Sequence, residues 1–205
     1  MLQGCYRSPM DRSSGYERIA PEFLARRGNA HRRDRAIGVA ETRNWARSLR
    51  SGATVVDVGC GPGFPITEVL VQEGLSVFGV DAALPFVEAF RRNLPNTPVV
   101  CEAVQDSTFF DRTFDAALAW GLMFLLTGED QRQLIQRFGE IVIPSGRLLF
   151  TSPARADVWN DAMTEQESPS LGAEEYRRLL DEAGFLLLSE YEDIGENHYF
   201  DAVRK

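Results

Sequence analysis

Residues 54–66 (TVVDVGCGPGFPI) set the tightest limit on how this chain can fold. Val55, Val56 and Val58 form a short β-branched apolar run bounded by glycine, which reads as a buried strand. The run passes straight into Gly59, Gly61 and Gly63. Pro65 then opens a helical pattern through Ile66, Val69 and Leu70 that ends at Gly74; proline is preset for a first turn and glycine for a stop. Residues 75–81 read as a second strand. Glycines at a strand-to-helix turn let a ligand press against backbone that has no Cβ in the way. The helix N-terminus beyond them offers N–H groups and a partial positive charge to an anionic end of that ligand.

The second strand closes on Asp81, 18 residues after Gly63, the distance expected of a carboxylate that grips ribose hydroxyls across the crevice. A dinucleotide fingerprint needs a further glycine at a set offset, and Phe64 and Ile66 occupy the places it could take, which weighs against NAD or FAD. Asp57, the three glycines and Asp81 together resemble instead the first two motifs of the class I S-adenosylmethionine-dependent methyltransferases. The resemblance implies an α/β fold: a doubly wound, mostly parallel, seven-stranded Rossmann-like sheet with an antiparallel last strand and N-terminal cap helices. It implies S-adenosyl-L-methionine as cofactor and direct in-line methyl transfer to a small-molecule acceptor. Residue by residue, it places Gly59, Cys60, Gly61, Pro62 and Gly63 against the methionine portion, with Asp57 accepting from its ammonium. Asp81 and Ala82 fall at the ribose, and Glu102, Ala103 and Val104, followed by Gln105, at the adenine. Tyr16, on the cap, reaches the carboxylate or is simply packed.

The rest of the chain fits that frame. Helical spacing covers 16–27 and 37–49, with Trp45 read as core. A helix over 84–94 precedes a third strand at 98–102, and a fourth strand, 116–120, ends at Trp120 and Gly121. Ligands bind outside the carboxyl ends of such strands, so Trp120 is expected to touch both cofactor and acceptor, and Phe124 the acceptor. An amphipathic helix over 131–143 is stopped by Pro144, Ser145 and Gly146 before a fifth strand, 147–151. The polar stretch 154–171, carrying Trp159, lies where the family inserts substrate-recognition elements. A helix over 173–183, a strand over 185–191, a turn at 195–197 and a last strand over 198–203 complete one domain, 1–205, with 1–51 as cap and 52–205 as core.

Composition narrows the remaining options. The chain of 205 residues suits one domain, and its apolar runs are too short to span a bilayer, so cytoplasm is the expected location and no membrane partner is expected. Cys5, Cys60 and Cys101 are too scattered for a disulfide framework or a zinc site, so no metal is expected and Cys60 and Cys101 read as small buried thiols. Lysine occurs once, at Lys205, which excludes Schiff-base chemistry and a phosphate-loop lysine. A net charge of −8 argues against nucleic acid. The charge is uneven: residues 1–51 hold 11 arginines against 5 acids, a net of +6, leaving −14 elsewhere. The plain reading is a basic segment packed on an acidic core; the sharper one is that Arg32, Arg33 or Arg35 attracts an anionic acceptor.

The sulfonium makes the methyl carbon electrophilic, so the protein has to orient a nucleophile and free its lone pair. Of two histidines, His198 is the candidate base, with His31 behind it, and Asn197, His198 and Tyr199 are together candidate acceptor contacts. The same three residues also fit an outward-facing hairpin. Two rival functions stand beside methyl transfer: a module that holds the cofactor without turning it over, and a nicotinamide-dependent reductase. Monomer and homodimer are equally compatible.

Overall fold

In the computed structural model, which describes residues 12–27 and 36–205, β1 (Thr54–Val58) lies near the middle of the sheet. Val55, Val56 and Val58 are fully enclosed, as a strand covered on both faces requires. Its parallel neighbours are β2 (Ser76–Asp81) and β4 (Phe114–Ala119). β3 (Val99–Cys101) adds to β2 and β5 (Val142–Thr151) to β4, again in parallel. β9 (His198–Arg204) then runs antiparallel between β5 and β8 (Phe185–Glu192). The order is β3-β2-β1-β4-β5-β9-β8, the mostly parallel seven-stranded sheet with an antiparallel last strand that the motifs imply.

Alternation along the strands divides the core into two layers. Val55, Leu118, Leu149 and Tyr199 face α2 (Val39–Arg47) and α3 (Ile66–Gln72), where Trp45 is buried as core. Val56, Val58, Phe150 and Phe200 face α5 (Gly128–Ile141) and α6 (Ala173–Glu182). The two N-terminal helices are present: α1 (Tyr16–Arg27) packs on α4 (Leu84–Asn93), with the Phe23 and Phe86 rings 5.0 Å apart, and α2 packs on α3.

Three local expectations need correction. The fifth helix starts earlier, because Thr127 caps it by accepting from the Asp130 N–H, and stops at Ile141 rather than Ile143. Ile143 precedes a proline, which disfavours helical backbone there; Val142 already pairs with Phe114, and Pro144, Ser145 and Gly146 bulge before Arg147 meets Ala116. Residues 154–171 contain an antiparallel hairpin, β6 (Asp157–Asn160) and β7 (Glu167–Ser170), which polar composition concealed. Cys101 is exposed rather than buried, since β3 is an edge strand; Cys60 is buried. Cys5, His31, Arg32, Arg33 and Arg35 lie outside the described residues.

Hydrogen bonds around the fully buried Tyr176 tie the hairpin to the core. The Tyr176 hydroxyl donates to Gln131 Oε1 (2.6 Å), meets Ser152 Oγ (2.7 Å) and accepts from the Leu171 N–H (3.2 Å). Gln131 Nε2 donates to the Pro169 carbonyl (2.8 Å), and Ser170 Oγ to that of Pro153 (2.7 Å). Tyr176→Phe strips three partners, two of them buried, of one shared hydroxyl, so a loss of about 1–3 kcal/mol is expected in urea unfolding. Faster amide exchange confined to β7 and Leu171 accompanies it if this network anchors the hairpin; unchanged exchange there contradicts that role.

Candidate functional site

The carboxyl ends of β1, β2 and β4 border a cavity of about 280 Å³, the crevice where open parallel sheets take ligands. Its floor is shaped by backbone. The N–H groups of Gly59 and Cys60 both donate to the Val80 carbonyl (2.8 and 3.2 Å), and that of Gly61 to Asp81 Oδ2 (2.8 Å). Asp81 Oδ1 accepts from the Ala83 N–H (2.8 Å). One carboxylate thus bends the glycine loop toward β2 and lines the cavity beside it, together with Pro62 and Ala82.

The three glycines do different work. A Cβ on Gly61 (φ +54°) would meet no atom within 4 Å, so the loop is bare there, at a residue that lines the cavity. A Cβ on Gly59 would run into Leu122, and one on Gly63 into Leu94 and Phe90 at 2.8 and 3.0 Å. Gly63 seats α4 against the loop and does not line the cavity, whereas Gly59 and Gly61 both do, Gly59 beside Leu122.

Asp57 is enclosed, and its Oδ2 accepts from Thr67 Oγ1 (2.6 Å). Burial pushes this carboxyl up to about 7, against the Thr67 hydrogen bond and with a further push from the Asp81 charge. Burial likewise raises Asp81 to about 6, opposed by the N–H groups of Ala83 and Gly61. The Cys60 thiol is driven up by burial and by both acids, so it stays protonated.

Around this floor stand Tyr16, Phe23 and Phe86 from the two packed helices, and Val104 and Gln105 from the turn after β3. Gln105 Nε2 donates to Asp130 Oδ2 (3.1 Å). Arg137 on α5 donates to the carbonyls of Val104 and Ser107 and lies over the Phe109 ring, fixing that turn. Glu102 and Ala103 do not line the cavity; the Glu102 N–H extends β2 pairing by donating to the Asp81 carbonyl (3.0 Å).

Beyond β4 come Trp120, Gly121, Leu122, Phe124, Leu125 and Leu126, with Asn197 reaching in from the β8–β9 turn. The Trp120 indole N–H donates to Tyr199 Oη (2.9 Å), and Tyr199 donates on to Asp193 Oδ2 (2.9 Å). A Cβ on Gly38 would fall 2.6 Å from the indole, so the start of α2 rests on Trp120. Trp159 does not line the cavity but meets Phe124, ring centres 6.0 Å apart. Tyr199 is fully buried behind Trp120.

His198 is the main correction. Alternation along β9 puts its ring on the face of Phe200 (4.8 Å), opposite Tyr199. Its Nε2 meets Glu190 Oε2 at 3.0 Å and its Nδ1 Glu192 Oε1 at 3.4 Å, and it does not line the cavity. Among the described lining residues, those the sequence did not single out include Arg12, Ser13, Ser14, Phe23, Phe86 and Leu122. Arg12 pairs with Asp106 (2.6 Å) and Ser14 Oγ donates to the Leu125 carbonyl (2.6 Å), which lays residues 12–14 along the cavity. Breaker residues before a helix carry no sequence signal for this.

Comparison with known proteins agrees with this geometry. Residues 55–146 match the family model described as a methyltransferase domain. The O-methyltransferase resE of Aspergillus sclerotiorum is 28% identical over 169 residues, 73% of this chain and 61% of its own, so the chain spans about three-fifths of that relative. A TehB-like SAM-dependent methyltransferase from Corynebacterium glutamicum superposes with a TM-score of 0.68 at 18% identity, covering 94% of this chain and 97% of its own. The magnesium protoporphyrin IX methyltransferase of Synechocystis PCC 6803, solved with bound SAM, gives 0.65 at 15% identity, covering 97% and 100%. The structural likenesses establish the fold.

The two raised acids set a pH dependence. Both titrate above the ordinary value of 3.8, so from about pH 4 to pH 7 the native state holds more protons than the unfolded chain, and these groups lower stability as pH rises. Asp57→Asn keeps an acceptor for Thr67 and removes the buried charge. Its stability relative to the parent should therefore increase between about pH 5 and about pH 7.5, read as urea midpoints. An offset equal at both pH values contradicts the assignment.

Proposed function

With residues 55–146 carrying a methyltransferase domain, we propose that this chain transfers a methyl group from S-adenosyl-L-methionine to a small-molecule acceptor. The observation that supports it most is the bare backbone of Gly61 at the cavity, its N–H held by the partly exposed Asp81 at the end of β2, with the buried Asp57 of β1 lining the same cavity. That donor set suits the cofactor chemically. Asp57 offers a carboxylate to an ammonium group. Asp81 offers lone pairs to ribose hydroxyls, and Val104 and Gln105 give an apolar wall with an amide for the base. Gly61, with Cys60 and Pro62, leaves room for the methionine portion. Bound there, the cofactor supplies an electrophilic methyl carbon, and the chain supplies position.

Trp120, Leu122 and Phe124 then bound the acceptor, with Asn197 as its polar contact and Trp159 bracing Phe124 from the 154–171 hairpin. Tyr16 keeps its place in this reading as a cavity-lining aromatic. His198, bonded to Glu190 on the other face of the sheet, takes no base role in it. A curated relative named as an O-methyltransferase supports oxygen as the methylated atom. An anionic acceptor has one described arginine at the cavity, Arg12, already engaged by Asp106. The reading extends to one domain over 1–205, a monomer or homodimer in the cytoplasm, and no nucleic-acid or membrane partner.

Calorimetry with S-adenosylmethionine and NADH, followed by release of S-adenosylhomocysteine over an acceptor panel, tests it. Uptake without release makes the chain a binding module; preference for NADH makes it a reductase. Asp81→Ala should weaken cofactor binding by about 1.5–3 kcal/mol through lost charge-assisted hydrogen bonds. Asp81 accepts hydroxyls as the carboxylate, so parent affinity should rise as pH climbs through about 6, and the variant should lose that step. Unchanged affinity in the variant removes Asp81 from the site.

A further inference from the structure

Resting on the methyl-transfer reading, we propose that Asn197 selects acceptors whose reacting atom carries a hydrogen, a hydroxyl or an amine, and disfavours carboxylates. The side chain of Asp193 in the β8–β9 turn fixes how Asn197 stands. Asp193 Oδ1 accepts from the N–H of Gly195 (2.8 Å) and of Asn197 (3.0 Å), and both oxygens accept from Asn197 Nδ2 (3.1 and 3.0 Å). Tyr199 Oη adds a donor to Oδ2 (2.9 Å). Burial works against this carboxylate, yet the hydrogen bonds from Asn197, Tyr199 and Gly195 outweigh it and hold its titration below the ordinary range. A carboxylate only accepts. The amide nitrogen of Asn197 must therefore face Asp193, and its carbonyl oxygen must face away.

The neighbouring donors are already used. The Trp120 N–H goes to Tyr199, the Gly121 N–H to Thr151 Oγ1 (2.8 Å), and the Ser14 hydroxyl to the Leu125 carbonyl. Leu122, Phe124, Leu125 and Leu126 are apolar. What Asn197 adds to this wall is thus an oxygen lone pair fixed in place. A hydroxyl or amine can donate its hydrogen to that oxygen, which turns its own lone pair elsewhere, toward the methyl carbon. A carboxylate would set oxygen against oxygen. In the transfer, the acceptor lone pair forms the new O–C or N–C bond as the S–C bond breaks and its electron pair returns to sulfur. The acceptor's proton, oriented by Asn197, departs to water.

Matched probes test this: 2-naphthol, 2-naphthylamine and 2-naphthoate, measured as ligands of the S-adenosylhomocysteine-loaded protein and as substrates. The naphthol or naphthylamine should bind at least about 10-fold better than the naphthoate, as a site built to accept a hydrogen discriminates. Asn197→Ala should narrow that preference about 10-fold with S-adenosylmethionine affinity unchanged, a shift that general loosening of the fold does not produce. Asp193→Asn, which frees the amide to turn, should narrow it in the same direction. Preference for the naphthoate, binding of none of the three, or a preference unmoved in Asn197→Ala overturns the inference. Selective binding without any methyl transfer upholds the selection and overturns the methyl-transfer reading instead.

Discussion

Three consecutive backbone N–H groups leave β1 and all of them are drawn toward β2: Gly59 and Cys60 by the Val80 carbonyl, Gly61 by the Asp81 carboxylate. A strand that continued straight would have filled the crevice with its own side chains. Bent this way, the loop leaves its bare residue at the cavity and hands the next residues to α3. Asp81 pays for the arrangement, because its carboxylate is buried in the same turn it organises and titrates near 6. Asp57, one strand over, is held up near 7 by the same cause. A fold that buries one acid and partly desolvates a second beside the cavity carries an unfavourable desolvation that cationic and hydroxyl groups placed there would relieve. The shape of the loop and the charge at the cavity therefore have one origin.

The far wall is built by a second chain of dependencies. Trp120 ends β4, but its indole is held by Tyr199 from β9 and covered by Gly38 at the start of α2. Ile37 lies where a Cβ on Gly195 would fall (2.7 Å), so the N-terminal helices and the last hairpin meet around one indole. Three segments far apart in sequence thereby set one surface. Local pattern in none of them discloses it.

Legibility follows from this division. The β1–loop–α3–β2 unit was readable because its signals are local: β-branched residues, glycines, a proline and an acid at fixed spacing. The mostly parallel seven-stranded sheet was implied by the resemblance this unit carries, and the alternation of strands and helices fits it. What each glycine admits was not readable, since Gly59 and Gly63 answer to Leu122, Phe90 and Leu94, side chains supplied by tertiary packing. The placing of His198 was within reach. Tyr199 and Phe200 are both fully buried, one in each layer, so period-two alternation assigns His198 to the Phe200 face, opposite Tyr199. The β6–β7 hairpin was out of reach, because buried polar bonds around Tyr176 and Gln131 hold it rather than an apolar stripe.

Charge around the cavity shows one further regularity. Two amides line it, Gln105 and Asn197, and each has its nitrogen fixed by an acid behind it, Asp130 and Asp193. The acids orient; the amides line the cavity. Asp57 and Asp81 are then the only carboxylates among the described lining residues, and both sit on the β1–β2 side. A cation placed near them is attracted strongly in that low-dielectric setting, and a neutral amide elsewhere offers nothing comparable. A ligand with its positive charge and hydroxyls at one end therefore has one favourable direction in which to lie. Replacing either amide with an acid of its own would add a competing pole and blur that direction, which is a physical reason for keeping the carboxylates one shell back.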